Sequence, residues 1–121
     1  MHLVETYALS CGAKIDKPLI YEKYFPLPKV KYISFQPFAG APSKNYDFWQ
    51  QVVDILFPIL KNKGISILQI GAKEEKTFKG CLSIVGNTNL GQAAYAIARA
   101  ELHLGADSFA AHMASAYDKK I

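Results

Sequence analysis

The segment that most constrains the fold is residues 65–70, which is almost wholly apolar and stops at Gly71. A strand with one face in water alternates apolar and polar residues, whereas a continuous apolar run suits a strand that is covered on both faces. Strands of that kind belong to parallel sheets with helices on either side. The run therefore predicts a parallel sheet inside a layered α/β domain.

The rest of the chain alternates in the way that such a sheet requires. Strands are predicted at residues 30–35, 65–70, 82–85 and 102–104, and helices at 47–62, from about 89, and at 109–117. Asp47 suits a helix start, and Pro58 should kink or shorten that helix. Asn89 and Gln92 resemble a capping pair. The alternation predicts a Rossmann-like three-layer sandwich with a mostly parallel sheet and right-handed crossovers.

The length of 121 residues indicates one domain, and the composition, half hydrophobic and a fifth charged, is that of a globular protein. Residues 1–29 are predicted to be a linker helix followed by a proline-containing extended connector, and residues 30–121 the α/β domain. The sequence stops at Ile121, where a further strand is expected, so we expect the domain to be truncated at its C-terminus.

Charge and cysteine content exclude several classes of protein. A net charge of +4 favours an anionic partner such as a phosphate, but no basic cluster is interleaved with aromatic residues, so nucleic acid is not expected. Cys11 and Cys81 lie far apart and are expected to be reduced. No metal-ligand spacing is present, and no cofactor or metal is expected. Without a signal peptide or an apolar membrane span, the protein is expected to be cytoplasmic, and at most peripheral to a membrane.

Ligands of open α/β sheets bind beyond the carboxyl ends of the strands, where residues 40–44, 71–75 and 105–112 are predicted to lie. Asp107 or Ser108 can cap the helix that follows the last strand, and its free N–H groups attract an anion. His112 follows Ser108 by one helical turn and can donate to a phosphate oxygen. An ordinary cap followed by a packed histidine explains the same residues.

Two further connections carry charged residues. Lys44 follows a loop with glycine and proline and can reach a diphosphate, although a solvated lysine is the simpler interpretation. Glu74 and Glu75 can accept hydrogen bonds from ribose hydroxyls, or form a solvated cluster with the neighbouring lysines. His103, within a predicted strand, is expected to be structural.

Two patterns resemble a known family. A Gly-x-Thr-x-Leu helix start matches Gly86, Thr88 and Leu90, and a Gly-x-Asp-Ser-Gly-x-x-His-Leu-Ala-Ala turn matches Gly105, Asp107, Ser108, His112 and Ala114, with Phe109 where the family usually has glycine. In these patterns, and in Lys44 after the first strand, the chain resembles the donor domain of lipopolysaccharide heptosyltransferases, glycosyltransferase family 9. Residues 2–12 are similar to the interdomain helix of that family.

The resemblance implies half of a GT-B fold, in which two Rossmann-like domains enclose the active site and this chain is the C-terminal, donor-binding one. It implies that the donor diphosphate faces Lys44, Ser108 and His112. It also implies that the nucleoside or sugar lies near a second set of residues: Glu74, Glu75, Asn87, Thr88, Leu90 and Asp107.

The implied activity is transfer of a sugar from a nucleoside diphosphate sugar to an acceptor glycan or lipid, with inversion and without a metal. The general base would come from a missing N-terminal acceptor domain, so the chain alone is expected to bind nucleotide weakly and to transfer nothing. The alternative is a non-catalytic nucleotide-binding or interaction module derived from a GT-B enzyme. A different GT-B activity is the third possibility, because the fold alone does not determine the chemistry.

Overall fold

A computed structural model of the chain describes residues 20–40, 43 and 45–121. These residues form seven elements, which we label in chain order: β1 (Lys31–Gln36), α1 (Trp49–Asn62), β2 (Ile65–Gln69), β3 (Leu82–Ser83), α2 (Leu90–Ala98), β4 (His103–Gly105) and α3 (Phe109–Ala116). The four strands form one parallel sheet in the order β3-β2-β1-β4. The predicted α/β fold with a parallel sheet is confirmed.

Helices cover both faces of the sheet and give three layers. On one face, Ile33, Phe35 and Ile67 pack against Trp49 and Val53 of α1. On the other face, Tyr32, Leu68 and Ile70 of the sheet pack against α2 and α3. The helices contribute mainly small residues to this core: Ala93, Ala96, Ile97, Ala110 and Ala114. Because alanine side chains are short, both helices lie close to the sheet and to each other.

The ends of the predicted elements differ in detail from those observed. Helix α1 begins at Trp49 rather than Asp47, and β3 is only two residues long. Pro58 was predicted to kink or shorten α1. The helix continues past it to Asn62, so it is not shortened, and the kink stays a prediction. Pro58 lies on the exposed side of the helix, where water can solvate the carbonyl that its missing N–H leaves unpaired.

The segment before β1 lies against α2. Residues 20–30 contain neither helix nor strand. The Lys23 amide donates to the Gly91 carbonyl at 2.9 Å, and the Tyr24 and Tyr95 rings meet edge to face with their centroids 5.5 Å apart. The predicted linker helix lies outside the described residues.

The chain that follows α3 returns to the sheet. The amide of His103 in β4 donates to the carbonyl of Lys120 at 2.8 Å, so residues near 120 lie along the outer edge of β4. Among the described helices, none is both long and apolar enough to cross a lipid bilayer.

Candidate functional site

Two buried glutamines stand at the carboxyl ends of the central strands. Gln36 ends β1 and Gln69 ends β2, and the two side chains are 3% and 0% exposed. A buried amide is costly unless its donors and acceptor find partners, so each glutamine must bond to whatever packs over it. In both cases the partner is a connection that leaves the sheet at this edge.

Gln69 holds the long connection between β2 and β3. Its Nε2 donates to the Lys76 carbonyl at 2.8 Å, and its Oε1 accepts from the Phe78 amide at 3.0 Å. Phe78 itself is buried against Phe35. Gln69 was not among the predicted site residues, although a polar residue within the apolar run 65–70 is the signal that marks it.

Gln36 holds the short turn between β4 and α3. Its backbone carbonyl accepts from the Ala106 amide at 3.0 Å, and its Oε1 accepts from the Ser108 hydroxyl. Gly105 packs so closely on Gln36 that an added Cβ would collide with the Gln36 carbonyl oxygen. The turn is thus fixed against the end of β1 on both sides of Asp107.

The hydroxyl of Ser108 does not cap α3. Ser108 occupies the N-cap position, but its side chain makes no capping hydrogen bond, because the hydroxyl is directed to Gln36. The prediction of a side-chain cap by Ser108 was therefore wrong. The N–H groups of the first turn of α3 receive no bond from Ser108 and remain oriented toward the carboxyl edge of the sheet.

The start of α2 is closed by its own residues. Asn89 Oδ1 accepts from the Gln92 amide at 2.8 Å, and Gln92 Oε1 accepts from the Asn89 amide at 3.1 Å. The predicted capping pair is confirmed as a complete capping box.

His112 and Asp107 lie together in solvent beside the first turn of α3. Their side chains are 80% and 70% exposed, and His112 Nε2 lies 3.7 Å from Asp107 Oδ1. His112 is thus not a packed histidine. The imidazole is accessible to a ligand at the same helix start as Ser108.

A cavity of about 410 Å³ lies between the two helix starts. Its lining contains Thr88 and Leu90, two of the predicted site residues, together with Phe109, and it is mostly apolar: Ile70, Gly71, Ala72, Thr88, Asn89, Leu90, Ala93 and Phe109. The cavity therefore joins the connection after β2, the start of α2 and the start of α3.

The two predicted glutamates separate in the structure. Glu74 is exposed, as is Asn87. Glu75 instead turns against Gly71, which lines the cavity, and its Oε2 is buried without a hydrogen-bond partner. Burial raises the pKa of Glu75, and a hydrogen bond from the Ala72 backbone partly opposes that rise.

Lys44, the remaining predicted phosphate ligand, lies outside the described residues. In the part of the chain that the structure describes, no cluster of three histidine, cysteine or carboxylate side chains could hold a metal ion. His103 is buried in the sheet, with Nδ1 2.8 Å from Ser34 Oγ, and burial lowers its pKa to about 4. Its place in the core agrees with the structural role predicted for it.

These features define an α/β domain whose parallel strands end at a cavity and at a helix start where the Ser108 hydroxyl makes no capping bond. The family model of glycosyltransferase family 9 (heptosyltransferase) matches residues 12–121. The chain therefore belongs to glycosyltransferase family 9. A comparison with curated proteins gives no match.

Solved heptosyltransferases share the fold. The ADP-heptose lipopolysaccharide heptosyltransferase II of E. coli superposes with a TM-score of 0.60 and 18% identity over 95% of this chain and 35% of that enzyme. The dodecameric iron-containing heptosyltransferase TibC, solved in complex with ADP-D-β-D-heptose, gives a TM-score of 0.60 and 17% identity over 78% of this chain and 27% of TibC. A second TibC structure, from enterotoxigenic E. coli H10407, gives a TM-score of 0.58 and 16% identity over 87% of this chain and 28% of TibC. The chain spans about a third of the length of these enzymes.

Proposed function

We propose that the chain is the donor-binding part of a glycosyltransferase, which holds a nucleoside diphosphate sugar while the sugar passes to an acceptor glycan or lipid. The observation that carries this proposal is the start of α3, where Ser108 makes no capping bond and the first-turn N–H groups adjoin a cavity of about 410 Å³. A helix N-terminus beside a cavity suits an anionic group attached to a larger ligand.

The diphosphate belongs at the start of α3. The helix dipole and the first-turn amides favour negative charge there. His112 adds a donor at the same position, with its Nε2 3.7 Å from Asp107 Oδ1. Lys44 is proposed to supply a point charge from the connection after β1. No single contact suffices, since a dipole interaction alone contributes only about 0.3–1 kcal/mol.

The nucleoside belongs in the cavity. Thr88 and Leu90 line it, and Glu75 lies beside it behind Gly71, where its buried carboxylate has an unused acceptor oxygen. A ribose hydroxyl is a suitable donor for that oxygen. Glu74 and Asn87, which are exposed at the same edge, are proposed to face the outer part of the ligand. Because TibC was solved with ADP-D-β-D-heptose, an ADP-linked sugar is the first donor to test.

In the transfer step the bond between the anomeric carbon and the diphosphate breaks, and the diphosphate gathers negative charge. Amides, Lys44 and His112 fixed around that group would stabilise the charge as it develops, and no metal is required for this. The acceptor hydroxyl must lose its proton to a base outside this chain, which we assign to an N-terminal acceptor domain. By this proposal the chain alone binds a donor and transfers nothing.

Titration calorimetry of the 121-residue chain with ADP- and UDP-linked sugars tests the proposal. Lys44→Ala should weaken binding of the preferred donor about tenfold, because a charge-assisted contact with a phosphate is lost. His112→Ala should weaken it about threefold. Lys63→Ala, at an exposed lysine that follows α1, is the matched control and should leave binding unchanged. Equal binding by wild type and Lys44→Ala excludes a role for Lys44, and a wild-type chain that binds neither donor excludes the function.

A non-catalytic nucleotide-binding module is the second candidate. It is favoured by Phe109, which stands partly exposed in the cavity wall where the family usually has glycine. The two candidates differ once the chain is joined to an acceptor domain of the family. Transfer of radiolabelled sugar by the joined protein supports the enzyme, whereas donor binding without transfer supports the module.

A further inference from the structure

Phe109 is the aromatic residue of the cavity at the carboxyl edge. It is the first residue of α3, it is 39% exposed, and its neighbours across the cavity include Gly71, Ala72 and Leu90. Leu90, the first residue of α2, is 64% exposed. Two large apolar side chains at the starts of two helices thus leave much of their surface uncovered around one cavity.

The backbone on both sides of Phe109 is fixed. Ser108 is bonded to Gln36, and Ala110 is fully buried in the core between the sheet and the helices. The point from which the ring projects is therefore set by the same contacts that set the start of α3. A ring held in this way presents a flat surface with little loss of conformational freedom when a ligand binds.

The other residues that line the cavity offer few polar groups that could bind a phosphate. Asn89 is occupied by the capping box with Gln92, and the carbonyl of Gly71 accepts from the Gly86 amide at 2.8 Å. Most of the remaining surface is apolar, contributed by Ile70, Ala72, Leu90, Ala93 and Phe109. Such a cavity suits a flat ring with few charges, and about 410 Å³ lies within the range of about 300–1,000 Å³ that is usual for small-molecule sites.

We propose that Phe109 is a specificity-determining residue whose ring stacks on the base of the bound nucleotide, so that the chain recognises its donor more by the base than by the diphosphate. This inference rests on the proposed function, since it assigns a role within the same ligand. It assigns a binding role to Phe109, which stands where the family usually has glycine.

Recognition of the base can be distinguished from recognition of the diphosphate by measuring how the full chain binds three simple probes: adenosine, ADP and inorganic pyrophosphate. Phe109→Leu keeps apolar bulk but removes the aromatic face. Base stacking on an aromatic side chain typically accounts for tenfold or more in affinity. We expect Phe109→Leu to bind adenosine and ADP about tenfold more weakly and pyrophosphate with unchanged affinity. Phe109→Tyr should restore both nucleotide affinities.

Phe57→Leu is the matched control, because Phe57 is 40% exposed on α1, on the opposite face of the sheet. It should bind all three probes as the wild type does. Thermal unfolding of each variant confirms that the fold is retained, and Phe109→Tyr provides a second reading if Phe109→Leu is destabilised.

Four outcomes overturn the inference. If Phe109→Leu or Phe109→Gly binds ADP equally or more tightly, the ring is an obstruction, while the proposed function stands. If Phe109→Leu weakens pyrophosphate and ADP alike, Phe109 supports the helix start rather than the base. If the wild-type chain binds pyrophosphate but neither adenosine nor ADP, the base is not recognised. A wild-type chain that binds none of the probes overturns the proposed function as well.

Discussion

The connections that enter α2 and α3 leave the same edge of the sheet but differ in how many residues hold them. Several side chains hold the first, and a single residue holds the second. The connection of residues 70–89 is held by side chains, through Gln69, the Gln50 contacts with Lys79, and the Asn89 capping box. The turn of residues 106–108 is held by the end of β1, through Gln36.

This difference determines which polar groups each connection can offer to a ligand. In the first, the polar side chains that organise the loop and the start of α2 are already bonded within the protein. In the second, one buried glutamine fixes the turn, the Ser108 hydroxyl makes no capping bond to the first-turn amides, and His112 is exposed. A site for an anion is therefore better placed at α3 than at α2, although both helices begin at the same edge.

The largest expected effect is the loss of the side chain that holds the first connection. Gln69→Ala removes one buried and one part-buried hydrogen bond and leaves the buried Phe78 amide without its side-chain acceptor. We expect the free energy of unfolding, measured with urea, to fall by about 2–4 kcal/mol.

Gln50→Ala is the matched control. Gln50 makes the same pair of bonds to the Lys79 carbonyl and amide, at 3.1 and 3.0 Å, but in an exposed position where water can replace the lost side chain. It should reduce stability by less than about 1 kcal/mol. Equal losses in the two variants would show that burial of Gln69 is not what holds the connection.

The second prediction concerns the close packing of the turn before α3. Gly105→Ala places a Cβ against the backbone of Gln36, which cannot move aside easily, and should lower the free energy of unfolding by about 1–3 kcal/mol. Gly91→Ala, inside α2, meets chiefly the flexible Lys23 side chain at 3.0 Å. Because alanine favours helix, that variant should be neutral or up to about 1 kcal/mol more stable. Loss of stability in both variants would contradict the proposed difference between the connections.

The third prediction is a pH dependence that arises in β4, just before the turn. The pKa of His103 is about 4 in the folded protein and near its ordinary 6.5 when unfolded. Between these values the unfolded state binds more protons, so stability is full above pH 6.5 and falls as the pH drops toward 4. Lowering the pH from 7 to 5.5 should cost about 1 kcal/mol in urea unfolding.

His103→Gln provides the comparison for that measurement, because it keeps a polar group beside Ser34 but cannot titrate in this range. Its stability should depend less on pH than that of the wild type by the same amount. A wild-type dependence that persists unchanged in His103→Gln would assign it to a group other than His103, and Glu75 would not account for it, because its raised pKa acts in the opposite direction.

The layers of the fold were predictable because they follow from short segments. The apolar run 65–70 indicated a strand covered on both faces, and the spacing of Asn89 and Gln92 indicated the capping box that the structure contains. The use of the Ser108 hydroxyl was not predictable in this way. Its partner, Gln36, is 72 residues away and becomes a neighbour only when β4 pairs with β1.

The candidate site shows the same division. Residues 71–75 and 105–112 were predicted to lie at the carboxyl edge, and the structure places them there, but the separation of Glu74 from Glu75 was not predicted. Local sequence treats the two glutamates alike, whereas the packing of Glu75 against Gly71 depends on how the whole connection folds. The position of Phe109 in the cavity wall likewise results from tertiary contacts of its neighbours.

The pairing of β4 with β1 also bears on how the protein folds. Ser34 and His103 are 69 residues apart in the chain and lie side by side in the sheet. Contacts between such distant residues form slowly, because a long loop must close before they contribute. The turn that leads into α3 can take its final shape only after that closure. If pyrophosphate or nucleotide is added during refolding, the binding that we propose for this edge should develop only in the last kinetic phase. Binding of the ligand would then report that the fold is complete.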